Sequence, residues 1–139
     1  MKAVVISKTG GPEVLEIKDI KLNDPKSGEV LIKNEAIGLN YIDTYHRSGL
    51  YPIELPSNIG IEGAGVIEKI GPDVKDFKIG DRVAYASLPL GSYSRRIIAG
   101  INNLEKLFKL NPVLPPPPIN LLIWLLRGSN SSMPHLQKT

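Results

Sequence analysis

The residues with the richest chemistry sit together in Gly38-Leu39-Asn40-Tyr41-Ile42-Asp43-Thr44-Tyr45-His46-Arg47-Ser48-Gly49-Leu50-Tyr51-Pro52. The spacing predicts a strand end, two short turns of helix and a turn. Asn40 is a strong N-cap residue, Asp43 at the third helical position suits a capping-box variant, and Gly49 can take the left-handed conformation that ends a helix. Tyr41 and Tyr45 lie four apart, and Ile42 and Tyr45 three apart, so one face is aromatic and apolar while His46 and Arg47 face elsewhere. Such a segment can line a pocket. Covalent and metal chemistry find little support: the chain has no cysteine, which excludes disulfides, thiol nucleophiles and cysteine-based metal sites. His46 and His135 lack partners at metal spacing and are expected to be solvated surface residues.

The elements that must position this segment are short. Ala3 to Ser7 is a β-branched run closed by the turn signal Thr9-Gly10-Gly11-Pro12, and Val14 to Ile20 alternates with period two after Leu15, so an antiparallel pair is expected. Glu29 to Leu39 is apolar except for Lys33, Asn34 and Glu35 in its middle, which predicts a bent strand leading into the helix. Gly60-Ile61-Glu62-Gly63-Ala64-Gly65 puts three glycines within six residues before Val66, where a ligand or another backbone can approach a strand start. Gly71-Pro72-Asp73 is a turn, Phe77 to Tyr85 a turn and then a strand, and Gly91-Ser92-Tyr93-Ser94 leads into a strand ending near Ala99. Short strands with glycine and proline punctuation and one short helix predict a mainly β fold, a small irregular barrel or sandwich.

The 139 residues are enough for one domain with a real core. The net charge of +3 comes from the end of the chain: 13 basic and 13 acidic residues lie through Gly100, and 4 basic against 1 acidic after it. A neutral body without clustered Lys and Arg gives no nucleic-acid footprint. The N-terminus has no secretory pattern, which makes a cytoplasmic protein the default. After Gly100 the character changes. Leu104 to Leu110 has a brief helical apolar spacing, Pro115 to Pro118 favour an extended polyproline segment, and Leu121 to Leu126 is far shorter than the roughly 20 residues that span a bilayer. Gly128 to Pro134 is polar, as in disordered segments.

The central segment, the Gly60 to Gly65 cluster, Gly80-Asp81-Arg82-Val83 and Gly91-Ser92-Tyr93-Ser94 occur in an order that resembles the N-terminal, GroES-like catalytic domain of medium-chain dehydrogenases/reductases. Within that superfamily the likeness is to the zinc-free, ζ-crystallin-type quinone oxidoreductases, over residues 1–99. The resemblance implies a GroES-like irregular β-barrel with one short helix, hydride transfer from NADPH to a quinone, and a usually homo-oligomeric parent. It also implies site roles: Asn40 and Asp43 beside the nicotinamide end of the cofactor, and Ile42, Tyr45 and Tyr51 lining the quinone pocket. In zinc-dependent relatives a cysteine ligand stands at the place of Asn40 and a histidine ligand at the place of Ile61, so the resemblance implies no zinc. A quinone is already electrophilic, and stacking near a nicotinamide with a donor or solvent proton at its oxygen suffices in principle.

The resemblance breaks after Ala99. The family continues with a Rossmann domain, but no G-x-G-x-x-G follows a strand in this sequence. The expectation is a truncated product, with residues 1–99 an incomplete GroES-like domain and 100–139 a non-family, Pro-rich, largely disordered tail read in a shifted frame. Little reductase activity and a tendency to self-associate follow from that expectation, and a non-enzymatic remnant or binding module is the competing one. Capping alone also explains Asn40 and Asp43, and Tyr45 and Tyr51 equally suit a core or rim.

Overall fold

In a computed structural model, residues 1–107 are described. The expectations for the proline run, the apolar patch and the polar end lie outside these residues. Lys2–Ile6 (β1) pairs antiparallel with Glu16–Asp19 (β2), the two joined through a 3-10 turn at Pro12–Val14. Glu29–Gly38 (β3) leads into the helix Tyr41–Ser48 (α1), then come Ser57–Asn58 (β4), Glu62–Ile70 (β5), Arg82–Ala86 (β6), Arg96–Gly100 (β7) and Glu105–Lys106 (β8). The strands form two sheets, one ordered β2-β1-β4 and the other β7-β3-β5-β6-β8.

The mainly β character and the single α-helix among the described residues agree with the sequence, but the barrel does not. Both sheets are open, with β7 and β8 at the edges of the larger and β2 and β4 at the edges of the smaller. Among the described residues β1 meets the segment before β7 through an isolated bridge, Ala3 to Ser94, and through the Val4 N–H donating to the Tyr93 carbonyl at 2.9 Å. The candidate closing strands β4 and β8 are two residues long, too short to carry a ladder around the fold. The apolar spacing of 104–110 also misleads, since its first part forms β8 against Val83 and Ala84 rather than a helix. Pairing overrides a weak periodicity there.

The core lies under the larger sheet, where Val30, Ile32, Ile67, Val83, Tyr85, Ile97, Ala99 and Leu104 pack together. β3 bends as its polar middle suggests: the register with β5 shifts between Leu31 and Ile32 and again between Asn34 and Ala36. Asn34 supports the second irregularity. Its Nδ2 donates to the Ser92 and Ser94 carbonyls at 3.2 and 3.0 Å, and its Oδ1 accepts from the Tyr85 hydroxyl at 2.9 Å. These bonds fasten the segment before β7 to β3, and the bent end of β3 aims the chain into α1.

Candidate functional site

α1 begins as its sequence dictates. Asn40 is extended, with φ −124° and ψ 151°, and the capping box with Asp43 forms. The Asn40 N–H donates to Asp43 Oδ2 at 2.9 Å, while the Asp43 N–H donates to the Asn40 carbonyl at 3.1 Å. The helix ends at Gly49, whose φ of 86° is open to glycine at little cost, and whose N–H donates to the Tyr45 carbonyl at 3.1 Å.

Of the residues expected to line a pocket, Ile42 and Tyr45 lie on this helix and Tyr51 follows it. Tyr45 meets Tyr51 edge to face with ring centroids 5.3 Å apart, and Tyr41 meets Tyr45 at 5.9 Å. Ile42 and Tyr45 are half-buried, and Tyr51 is exposed. Tyr41, to which the sequence reading gave no site role, is 79% exposed and extends the row of rings. Its spacing four residues before Tyr45 was the available signal. Together the rings form an open aromatic surface rather than an enclosed cavity. A separate cavity of about 250 Å³, lined in part by Tyr85, Ser87, Asn102 and Asn103, contains none of the expected site residues.

Asn40 and Asp43 are adjacent but differently placed. Asn40 is half-buried, and its Nδ2 donates to Glu62 Oε2 at 2.7 Å. Asp43 is buried, and its Oδ2 also accepts from the Tyr93 hydroxyl at 2.7 Å, while Oδ1 has no hydrogen-bond partner. The sequence reading assigned no role to Tyr93, because fifty residues separate it from Asp43 and no local pattern joins them. Burial raises the Tyr93 phenol well above its ordinary value, and the Asp43 carboxylate adds to the effect, so the phenol stays protonated and donates.

His46 is not the surface histidine its isolation suggested. It is buried, with its ring 6.3 Å from that of Tyr51 and its Nδ1 without a hydrogen-bond partner. The glycine cluster serves internal packing: a Cβ on Gly65 would collide with the Lys33 carbonyl, and one on Gly60 with Ser92 and the Tyr93 ring. Among the described residues no group of three His, Cys, Asp or Glu side chains is arranged to hold a metal ion. Nor is any helix among them long and apolar enough to cross a membrane.

Residues 26–108 match the alcohol dehydrogenase GroES-like domain, and the chain belongs to that family. Within it, the chain is similar to the quinone oxidoreductases of the medium-chain dehydrogenase/reductase superfamily. It is 56% identical over 94 residues to the quinone oxidoreductase of Pseudomonas aeruginosa, covering 67% of this chain and 29% of that protein. It is 39% identical over 130 residues to the 2-haloacrylate reductase of a Burkholderia species, covering 91% of this chain and 38% of that one. The crystal structure of Escherichia coli quinone oxidoreductase complexed with NADPH superposes with a TM-score of 0.75 at 44% identity, over 77% of this chain and 33% of the other. The chain thus spans about a third of the length of the relatives it matches.

Of the two residues expected at the cofactor, Asn40 keeps accessible surface, whereas the Asp43 carboxylate is buried and already accepts two hydrogen bonds. The N-terminus of α1, the usual kind of anion site, already holds that carboxylate. The described residues do not fit the dinucleotide as a whole.

Proposed function

We propose that residues 1–107 are the substrate-facing part of a zinc-independent NADPH:quinone oxidoreductase, and that these 139 residues alone do not turn over. The observation that carries this reading is the aromatic surface of Tyr41, Tyr45 and Tyr51 beside Asn40. A quinone is flat and apolar on its faces, and edge-to-face tyrosines offer it ring contacts worth about 0.5–1.5 kcal/mol per pair. Ile42 supplies an aliphatic wall, and phenol hydroxyls supply donors for a quinone oxygen. Asn40 borders the nicotinamide end, and Asp43 supports it from beneath. NADPH, when bound by a complete enzyme, supplies the hydride; the residues here orient the acceptor. The similarity to a 2-haloacrylate reductase leaves activated alkenes as a second acceptor class, but a row of tyrosine rings favours the quinone.

The test is a titration of the purified chain with 1,4-naphthoquinone followed by amide NMR, alongside NADPH fluorescence and a reduction assay. Saturable shifts around Ile42, Tyr45 and Tyr51 without turnover are expected. No shift at those residues refutes the pocket, and turnover refutes the claim that the chain is inactive alone. Self-association is a second reading favoured by Leu39 and Leu50, 84% and 62% exposed, together with the open sheet edges. Concentration-dependent sedimentation supports it, and a single monomeric species across the range refutes it.

A further inference from the structure

The Gly91-to-Ser94 segment holds the clearest contacts that the proposed site leaves unused. Its backbone is fixed to β1 and to the residue after β4, where the Tyr93 carbonyl accepts from the Val4 N–H at 2.9 Å and the Tyr93 N–H donates to the Ile59 carbonyl at 3.1 Å, and to β3 through Asn34 Nδ2, which donates to the Ser92 and Ser94 carbonyls. The Tyr93 ring lies against Gly60, where a Cβ would displace it. From this anchored position the hydroxyl reaches Asp43 Oδ2 at 2.7 Å, and that same oxygen accepts from the Asn40 N–H at 2.9 Å. On the opposite side Asn40 Nδ2 donates to Glu62 Oε2 at 2.7 Å, and Glu62 belongs to β5.

The first turn of α1 is therefore held from two directions, by β5 through Glu62 and by the 91–94 segment through Tyr93. An eight-residue helix has few intrahelical hydrogen bonds of its own and depends on such tertiary contacts for its setting. Both carboxylates are buried, each 4% exposed, so water competes poorly for their bonds. On the reading that α1 carries the ligand-facing residues, we infer that Tyr93 is a positioning residue: its hydroxyl holds Asp43, and through Asp43 it fixes the orientation in which Asn40 meets a ligand. Asp43 acts in this latch instead of contacting the cofactor.

The experiment is backbone and side-chain amide NMR with hydrogen exchange on the full 139-residue chain, comparing wild type with Tyr93→Phe. The variant removes one oxygen and keeps the ring. Losing a hydrogen bond to a charged group is expected to speed exchange of the Asn40 amide about tenfold and shift its side-chain NH₂ resonances. The amides of Val30, Ile32 and Ile67 should keep their rates. Unchanged Asn40 signals overturn the latch, and so does equal acceleration throughout the core, which would mean a general loss of stability. Asp43→Asn, of the same shape with a weaker acceptor for both the Asn40 N–H and the Tyr93 hydroxyl, should move the same amides in the same direction by at least as large a factor; effects confined elsewhere overturn the proposal too. The naphthoquinone titration of the wild type reports separately on the ligand reading, since it can fail while the Asn40 exchange behaves as expected.

Discussion

Asn34→Ala is the substitution whose cost the structure specifies most fully. Asn34 makes three side-chain hydrogen bonds, two to the carbonyls of Ser92 and Ser94 and one from the Tyr85 hydroxyl. At roughly 1 kcal/mol net for each, with about 1 kcal/mol more for stranding a buried hydroxyl, the expected loss is about 4 kcal/mol. Stranding matters here because Tyr85 is only 2% exposed, and burial already raises its phenol well above the ordinary range. Tyr85→Phe removes one bond and leaves an acceptor on a half-buried asparagine that water can reach, for about 1 kcal/mol. With Phe at position 85, Asn34→Ala loses two bonds and strands no hydroxyl, so the double variant should cost about 3 kcal/mol rather than the additive 5. Urea unfolding of all four proteins measures this, provided the slope m is unchanged. A double variant within about 0.5 kcal/mol of additivity would show that the Tyr85–Asn34 bond is energetically idle, and the reasoning about the β3 bend would fall with it.

Three further outcomes follow from particular contacts. Ile32→Ala, at a fully buried position in the core, should cost about 2–5 kcal/mol in the same unfolding assay, and a loss under about 1 kcal/mol would place the core elsewhere. The Arg96 guanidinium, bonded to Glu68 through Nε and Nη2, holds the Glu68 carboxyl below its ordinary 4.5. A depressed folded value means that this stabilisation is present above pH 4.5 and is lost as pH falls through the folded value. Glu68→Gln should therefore flatten the acid limb of stability against pH, and an unchanged limb would refute the assignment. Tyr41→Ala should leave stability within about 0.5 kcal/mol, because the ring is exposed, while weakening naphthoquinone binding by about 3- to 10-fold; unaltered binding would remove Tyr41 from the surface.

Local structure was readable wherever neighbouring residues decide it. The capping pair Asn40 and Asp43, the left-handed Gly49, the pairing of β1 with β2 and the bend at Lys33-Asn34-Glu35 are all written in short-range pattern, since caps, turns and alternation act over a few residues. The family likeness was also legible, because several motifs stand in one order along the chain. Tertiary structure alone decided the rest. It left two sheets open where short strands suggested closure, since closure depends on which strands meet and on their lengths. It buried His46 beside Tyr51, although nothing in the sequence marks their packing. It decided between the two approaches the glycine cluster left open, giving the room to the Lys33 backbone and the Tyr93 ring. And it joined Tyr93 to Asp43 across fifty residues, a bond that exists only because the fold brings the 91–94 segment over the start of α1.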